Sequence, residues 1–278
     1  MSKFTTLFLS FVNLFFKKLS IEKIYKKLYL DHHNIYVKIK GARYAFIYRS
    51  VDYDDLNMMC RENLKYWESS SREIFSILSL TSKCAVDIGS YTGVYTLVAA
   101  KTNNKIQTIS FEPNPELYAA LVKNIKINRL KNFNLEQLAL DKEIGSAILY
   151  LNHERYTSVG SLIKSSAAGK QINVNKITLD AYCEENKVDF IDLMKIDVEG
   201  YEINILEGSK VTLEKNSPII LMEALTTSSL ESQHLYLNQF GYLRPAQVKG
   251  DGYDKSNWLW FTENNLTRVN QVSHLLEV

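Results

Sequence analysis

The stretch KCAVDIGSYTG, residues 83–93, decides how this chain is read. Residues 83–89 form a short apolar run closed by an acid and a glycine, and residues 94–101 continue with a helical pattern. The stretch therefore predicts a buried strand, a tight turn through Ser90-Tyr91-Thr92-Gly93 and a helix. Working outward, 106–111 reads as a second strand and 116–128 as a helix with Leu121 and Ile125 at its apolar centre, started by Pro113 and Pro115. A third strand is expected at 133–138. A hairpin around Gly145 follows with 147–151 as one arm, then a loop at 159–168 and a helix at 178–185. Residues 190–196 give a fourth strand, 202–213 a helix and 218–222 a fifth strand. A helix at 229–240 closes at Gly241, and 242–245 with 258–261 make a last strand pair. Strands alternating with helices imply an α/β fold with a mostly parallel sheet covered on both faces. Residues 71–278 carry this rhythm, and 1–70 read as a partly helical N-terminal appendage.

Composition narrows the classes. The 278 residues are 46% hydrophobic and 23% charged, with 33 basic against 31 acidic side chains. So balanced a charge lacks the basic patch of a dedicated nucleic-acid binder, and the apolar content is too high for a disordered chain. Cys60, Cys84 and Cys183 are odd in number and far apart, with no C-x-x-C pair, so neither a disulfide framework nor a zinc site is expected. Thiols kept reduced suit a cytoplasmic location. Residues 4–16 are apolar and precede Lys17, Lys18, Lys23, Lys26 and Lys27. That run is shorter than the roughly 20 residues a spanning helix needs. Its helical spacing predicts an amphipathic helix that packs on the domain or on a second subunit, with peripheral membrane contact as the alternative.

The chemistry is expected at the carboxyl ends of the strands, where open α/β sheets bind ligands. Glycine lets the D-x-G-x-x-x-G turn from Asp87 to Gly93 bend sharply and admit a ligand to the main chain. Glu112 ends the second strand 23 positions beyond Gly89, where a carboxylate can accept both hydroxyls of a ribose. A solvated strand-end carboxylate is the alternative. The pyrophosphate fingerprint G-x-G-x-x-G needs a glycine where Tyr91 stands, so a nucleoside without phosphates suits the turn better than a dinucleotide. S-adenosylmethionine is such a ligand.

DIGSYTG, FEPNPELYAALVKNI, ITLD, LMKIDVEGYEINILEG and PIILMEA occur here in an order and spacing that resembles FkbM-type methyltransferases, over roughly residues 66–223. The resemblance implies a Rossmann-like class I methyltransferase fold using S-adenosylmethionine. It implies cofactor contacts from Asp87, Gly89, Ser90, Tyr91, Gly93 and Glu112, with Ala139, Leu140 and Asp141 near the adenine. Trp67 and Glu68 match a family segment expected to cover the cofactor, although core packing explains Trp67 equally well.

On the fourth strand, Lys195, Asp197 and Glu199 alternate onto one face if the strand extends that far, and Glu223 ends the fifth. Asp197 is the candidate for acceptor positioning or general base, with Glu199 and Glu223 as alternates. Helix capping is the competing role for Asp197 and Glu199. A metal is not expected, because the third ligand position after Glu223 is Ala224. The expected reaction is O-methylation of a hydroxyl on a glycan, sugar or other small molecule. A homo-oligomer is compatible with the sequence, and a nucleic-acid substrate is disfavoured because Asp197-Val198-Glu199-Gly200 stands where base methylases carry [DN]-P-P-[YFW]. A nicotinamide-dependent oxidoreductase and a non-catalytic binding module are the alternatives.

Overall fold

A computed structural model describes residues 34–38, 45–49, 68–152, 160–163, 168–250 and 256–277. The expected amphipathic helix at 4–16, Cys60 and Trp67 lie outside them. Of the appendage, the described part is an antiparallel pair, β1 (Asn34–Lys38) and β2 (Ala45–Arg49), together with residues 68–70. No helix among the described residues is long and apolar enough to cross a membrane.

Helix α1 (Ser69–Ser79) comes before the first strand of the main sheet. Then follow β3 (Cys84–Ile88), α2 (Val94–Thr102), β4 (Gln107–Phe111), α3 (Pro115–Ile127) and β5 (Phe133–Glu136). A smaller sheet interrupts the alternation with β6 (Ala139–Leu140), β7 (Gly145–Asn152), β8 (Gly160–Ser161) and β9 (Ala168–Ile177). The winding resumes with α4 (Leu179–Asn186), β10 (Leu193–Ile196), α5 (Glu202–Glu207), α6 (Lys210–Asn216), β11 (Ile219–Glu223) and α7 (Thr227–Asn238). It closes on β12 (Ala246–Gln247), β13 (Asn257–Trp260) and a run of short helical turns.

The main sheet has the order β5-β4-β3-β10-β11-β13-β12. Pairings from β5 through β11 are parallel, and β13 is antiparallel to both neighbours. Counting only its own strands, the order is 3-2-1-4-5-7-6, the doubly wound pattern whose winding reverses between the first and fourth strands. This is the expected Rossmann-like class I fold. Strand alternation sends side chains to two cores. Ala85, Leu193, Ile219, Leu221 and Leu259 face α1, α2 and α3. Val86, Met194, Ile220, Met222 and Trp260 face α4 to α7. Cys84 packs in the second core, and burial pushes its thiol up to about 12, in keeping with a small apolar role.

Several elements differ from the sequence reading. No hairpin forms around Gly145: β7 pairs antiparallel with β9, and β6 pairs parallel with β9. The expected strand at 133–138 ends at Glu136, and Ala139–Leu140 joins the smaller sheet. The helix expected at 202–213 breaks into α5 and α6 at Gly208-Ser209. The main chain of Asp141 passes so close to Gly208 that a Cβ there would collide with the Asp141 carbonyl. Helix α1 was not among the expected elements, although most of it falls within 71–278; its Ile74, Phe75 and Leu78 are buried in the first core.

The glycine turn owes its glycines to packing. Gly89 has φ +75°, and a Cβ on it would strike the carbonyl of Asp197. Gly93 has φ +92°, and a Cβ there would strike Leu121. Gly241 has a similar φ of +79° with open space around it. Gly241→Ala should therefore cost about 1–2 kcal/mol from the left-handed backbone alone. Gly89→Ala should cost about 2–5 kcal/mol, because overpacking adds to it. Urea denaturation of both variants measures the difference, and equal losses would show that the β3 and β10 ends can move apart.

Candidate active site

Strand alternation builds the site. Asp87, Lys195, Asp197 and Glu223 share the parity of Ala85, Leu193 and Leu221, so at the carboxyl edge they stand on the α1 and α2 side of the sheet. Asn257 is in register with Glu223 on β13. Glu68, at the start of α1, and Tyr95, in the first turn of α2, come down on this row. The result borders a cavity of about 310 Å³.

At one end, Glu112 is buried and its two oxygens accept from the Tyr91 N–H at 2.9 Å and the Asn114 N–H at 2.8 Å. Burial pushes its carboxyl up to about 8. Each oxygen retains a lone pair for a further donor, which is the requirement for a vicinal diol. Asp87 accepts from the backbone N–H and the hydroxyl of Thr96, at 3.0 and 2.7 Å, and so caps α2, whose N-cap position is Gly93. Burial raises it to about 6. The Ser90 hydroxyl donates to the carbonyls of Asp87 and Phe111, which closes the turn.

At the other end, the Lys195 ammonium is 1% exposed and donates to Asp197 Oδ2 at 3.1 Å and Asn257 Oδ1 at 3.0 Å. Burial opposes its charge, but the carboxylates of Asp197 and Glu68 outweigh that and hold it above its ordinary value. The ammonium also sits 5.2 Å from the centre of the Tyr95 ring. Glu68 accepts from Tyr95 Oη at 2.8 Å and from Asn257 Nδ2 at 3.0 Å. Glu223 accepts from Ser256 Oγ at 2.8 Å, and burial raises it to about 7.

Ten of the twelve candidate cofactor and catalytic residues border this cavity. Asp87, Gly89, Ser90, Tyr91, Glu112, Ala139 and Leu140 stand with Asp197, Glu199 and Glu223. Gly93 and Asp141 do not. Gly93 makes room for Leu121, and Asp141 is tied to Lys176 at 2.6 Å and to Lys142 N at 2.7 Å, joining the smaller sheet to α5. The alternation expected through Lys195, Asp197 and Glu199 stops early, because β10 ends at Ile196 and Glu199 sits in a bend at φ +55°. The N-cap of α5 is Tyr201, with no side-chain cap, and Glu202 rather than Asp197 or Glu199 accepts from the Gly200 N–H. Tyr95 and Asn257 were not foreseen. Nothing local to Asn257 marks it, since only the pairing of β13 with β11 brings it here. Leu149 and Leu162 of the smaller sheet also reach the cavity, and the I-N-V alternation at 172–174 was a readable signal for that sheet.

A doubly wound, mostly parallel sheet with a glycine turn after its first strand and a cavity at its carboxyl edge is the Rossmann-like fold of class I methyltransferases. The family profile described as "Methyltransferase FkbM domain" matches residues 87–245. The chain belongs to this family. It is 22% identical over 143 residues to Methyltransferase 1 of Beauveria bassiana, covering 44% of this chain and 57% of that protein. It is 27% identical over 158 residues to the 2-O-methyltransferase NoeI of Sinorhizobium fredii, covering 52% of this chain and 64% of that one. The chain thus spans less than two thirds of each of these curated relatives. A methyltransferase FkbM from Methylobacillus flagellatus superposes with a TM-score of 0.48 at 13% identity, covering 65% of this chain and 43% of that structure.

The buried acids set a pH dependence of stability. Glu112 keeps its proton up to about 8 when folded and releases it near the ordinary 4.5 when unfolded. Its contribution is therefore full below about 4.5 and is lost as pH rises through about 8. Asp87 and Glu223 act in the same direction up to about 6 and about 7. In urea melts of the ligand-free protein from pH 5 to pH 9, Glu112→Gln should lose less stability with rising pH than the parent. Parallel curves would mean that Glu112 is ionised throughout.

Proposed function

We propose that the protein is an S-adenosylmethionine-dependent methyltransferase acting on a hydroxyl of a sugar, glycan or similar small acceptor. The observation that carries this reading is Glu112, a buried carboxylate held by two backbone N–H groups with its remaining lone pairs available at a cavity wall. A ribose diol satisfies it, and Tyr91 at the second-glycine position disfavours a pyrophosphate beside it. Membership of a methyltransferase family supplies the reaction class, and the name of the rhizobial relative supports oxygen as the atom methylated.

The residues present suit such a donor. Ala139, Leu140 and Leu149 offer an apolar wall beyond Glu112 for a base, and Gly89 to Tyr91 lead from Glu112 toward Asp197 for the rest of the ligand. When bound, the donor supplies a methyl group already activated by its sulfonium. The protein aligns the acceptor, excludes water and removes the hydroxyl proton. Asp197 is fixed by Lys195 and serves to orient the acceptor hydroxyl. Glu223, raised to about 7, is matched to taking its proton near neutral pH. Peripheral membrane contact through the N-terminal segment and a homo-oligomeric state remain proposals of the same reading.

Thermal melts with S-adenosylmethionine, S-adenosylhomocysteine and NAD test the donor. A ligand at about 100 times its dissociation constant should add about 2.7 kcal/mol. The first two compounds should stabilise the protein and NAD should not, with Glu112→Ala abolishing the response. Stabilisation by NAD alone would overturn the reading. Asp197→Asn should retain donor binding yet release no S-adenosylhomocysteine with an acceptor that the parent methylates. For the parent, that release should rise about tenfold per pH unit below about 7 and then level off.

A further inference from the structure

Glu223, which ends β11, is held from two directions. Its main-chain carbonyl accepts from Nε2 of Gln233, a fully buried residue of α7, at 2.9 Å. Its carboxylate accepts on Oε1 from the Ser256 hydroxyl at 2.8 Å. Ser256 stands immediately before β13 and has no task in the chemistry described above. Its own backbone is fixed. The Ser256 carbonyl accepts from the Ala224 N–H at 2.8 Å, and the next residue, Asn257, is fully buried and in register with Glu223. The antiparallel pairing of β11 with β13 that brings Asn257 to Lys195 therefore also delivers this hydroxyl to Glu223.

A base must be ionised before it can take a proton, and most of what surrounds Glu223 works against that. Burial raises its carboxyl to about 7, and the charges of Asp197, just past the end of β10, and of Glu199 in the bend beyond add to the shift. The Ser256 hydroxyl and the Lys195 ammonium oppose it. Lys195 acts at a distance, because its hydrogen bonds go to Asp197 and Asn257. The group facing Glu223 from α7 is the neutral amide of Gln233, and β13 adds the neutral amide of Asn257, whose N–H is turned to Glu68 of α1's first turn. Of all these groups, Ser256 is the one bonded to the carboxylate itself. A hydroxyl donates more strongly to a carboxylate than to a carboxylic acid, so the bond favours the ionised form.

We propose that Ser256 is a positioning residue for methyl transfer, whose hydroxyl orients the Glu223 carboxylate and keeps it in the charged form that receives the acceptor's proton. This rests on the reading of Glu223 as the base given above. As the acceptor oxygen bonds to the methyl carbon and the bond from that carbon to sulfur breaks, the hydroxyl proton of the acceptor passes to Glu223. With Oε1 bonded to Ser256, that proton goes to Oε2.

Two measurements on the whole protein test the assignment. The first needs neither donor nor acceptor. The carboxyl carbons of isotope-labelled glutamate are followed by NMR against pH, and the Glu223 signal is the one missing from Glu223→Gln. It should titrate at about 7 in the parent. In Ser256→Ala it should titrate about one pH unit higher, the displacement expected for loss of one hydrogen bond to a charged group. Ser256→Thr keeps the hydroxyl and should titrate with the parent. If Ser256→Ala fails to fold, Ser256→Cys carries the comparison, because its thiol fills the space yet donates weakly. A Glu223 midpoint that stays in place without the hydroxyl overturns the proposal.

The second measurement is release of S-adenosylhomocysteine against pH, with an acceptor that the parent methylates. Ser256→Ala should be about tenfold slower than the parent at about pH 5 and should approach the parent's plateau above about pH 9. A merely structural loss would lower the rate equally at every pH, and that result overturns the proposal as well. A displaced Glu223 titration with an unmoved rate profile would instead defeat Glu223 as the base, the reading on which the inference stands.

Discussion

The ammonium of Lys195, buried at the centre of the sheet's carboxyl edge, is the charge around which the site is organised. Removing an ion from water costs several kcal/mol unless partners replace the lost hydration. Here Asp197, Asn257 and the face of Tyr95 supply that replacement. Each comes from a different element: the end of β10, the start of β13 and the first turn of α2. The neutralisation of one side chain thus ties together segments far apart in the chain. It also fixes where the neighbouring carboxylates stand, because Glu68 is held through the same Asn257 amide.

The turn after β3 shows how packing and recognition are superimposed. Its glycines are required by neighbours inside the protein, since Asp197 and Leu121 fill the space a Cβ would take. The backbone N–H of Tyr91 in this turn is engaged by Glu112. The turn therefore presents Glu112 rather than a bare nest of N–H groups. A pyrophosphate would need those N–H groups for itself, which is why a diol-bearing nucleoside is the ligand proposed for this turn.

Legibility was uneven for definite reasons. Long apolar strands with strong local punctuation, such as CAVDI and IILME, lie within one or two residues of where the pattern placed them. The smaller sheet was harder, because β6 has two residues and takes its place only by pairing with β9, 37 positions on. The break between α5 and α6 was hidden for a similar reason: it answers to the backbone of Asp141, a contact no helical period records. In the site, the acids at strand ends could be named in advance. Gly93 and Asp141 could not be separated from the cavity-lining residues by sequence, because their neighbours Leu121 and Lys176 are remote in the chain.

The sequence by itself determined the winding of the sheet, the edge at which chemistry collects and most of the acids found there, because strand alternation and turn residues act over a few positions. Only the tertiary structure decided which of those acids are committed to the protein and which face the cavity. It alone brought Glu68, Tyr95 and Asn257 to Lys195. The reason is that neutralising a buried charge depends on distances between elements, and those are set by the packing of the whole sheet against its helices.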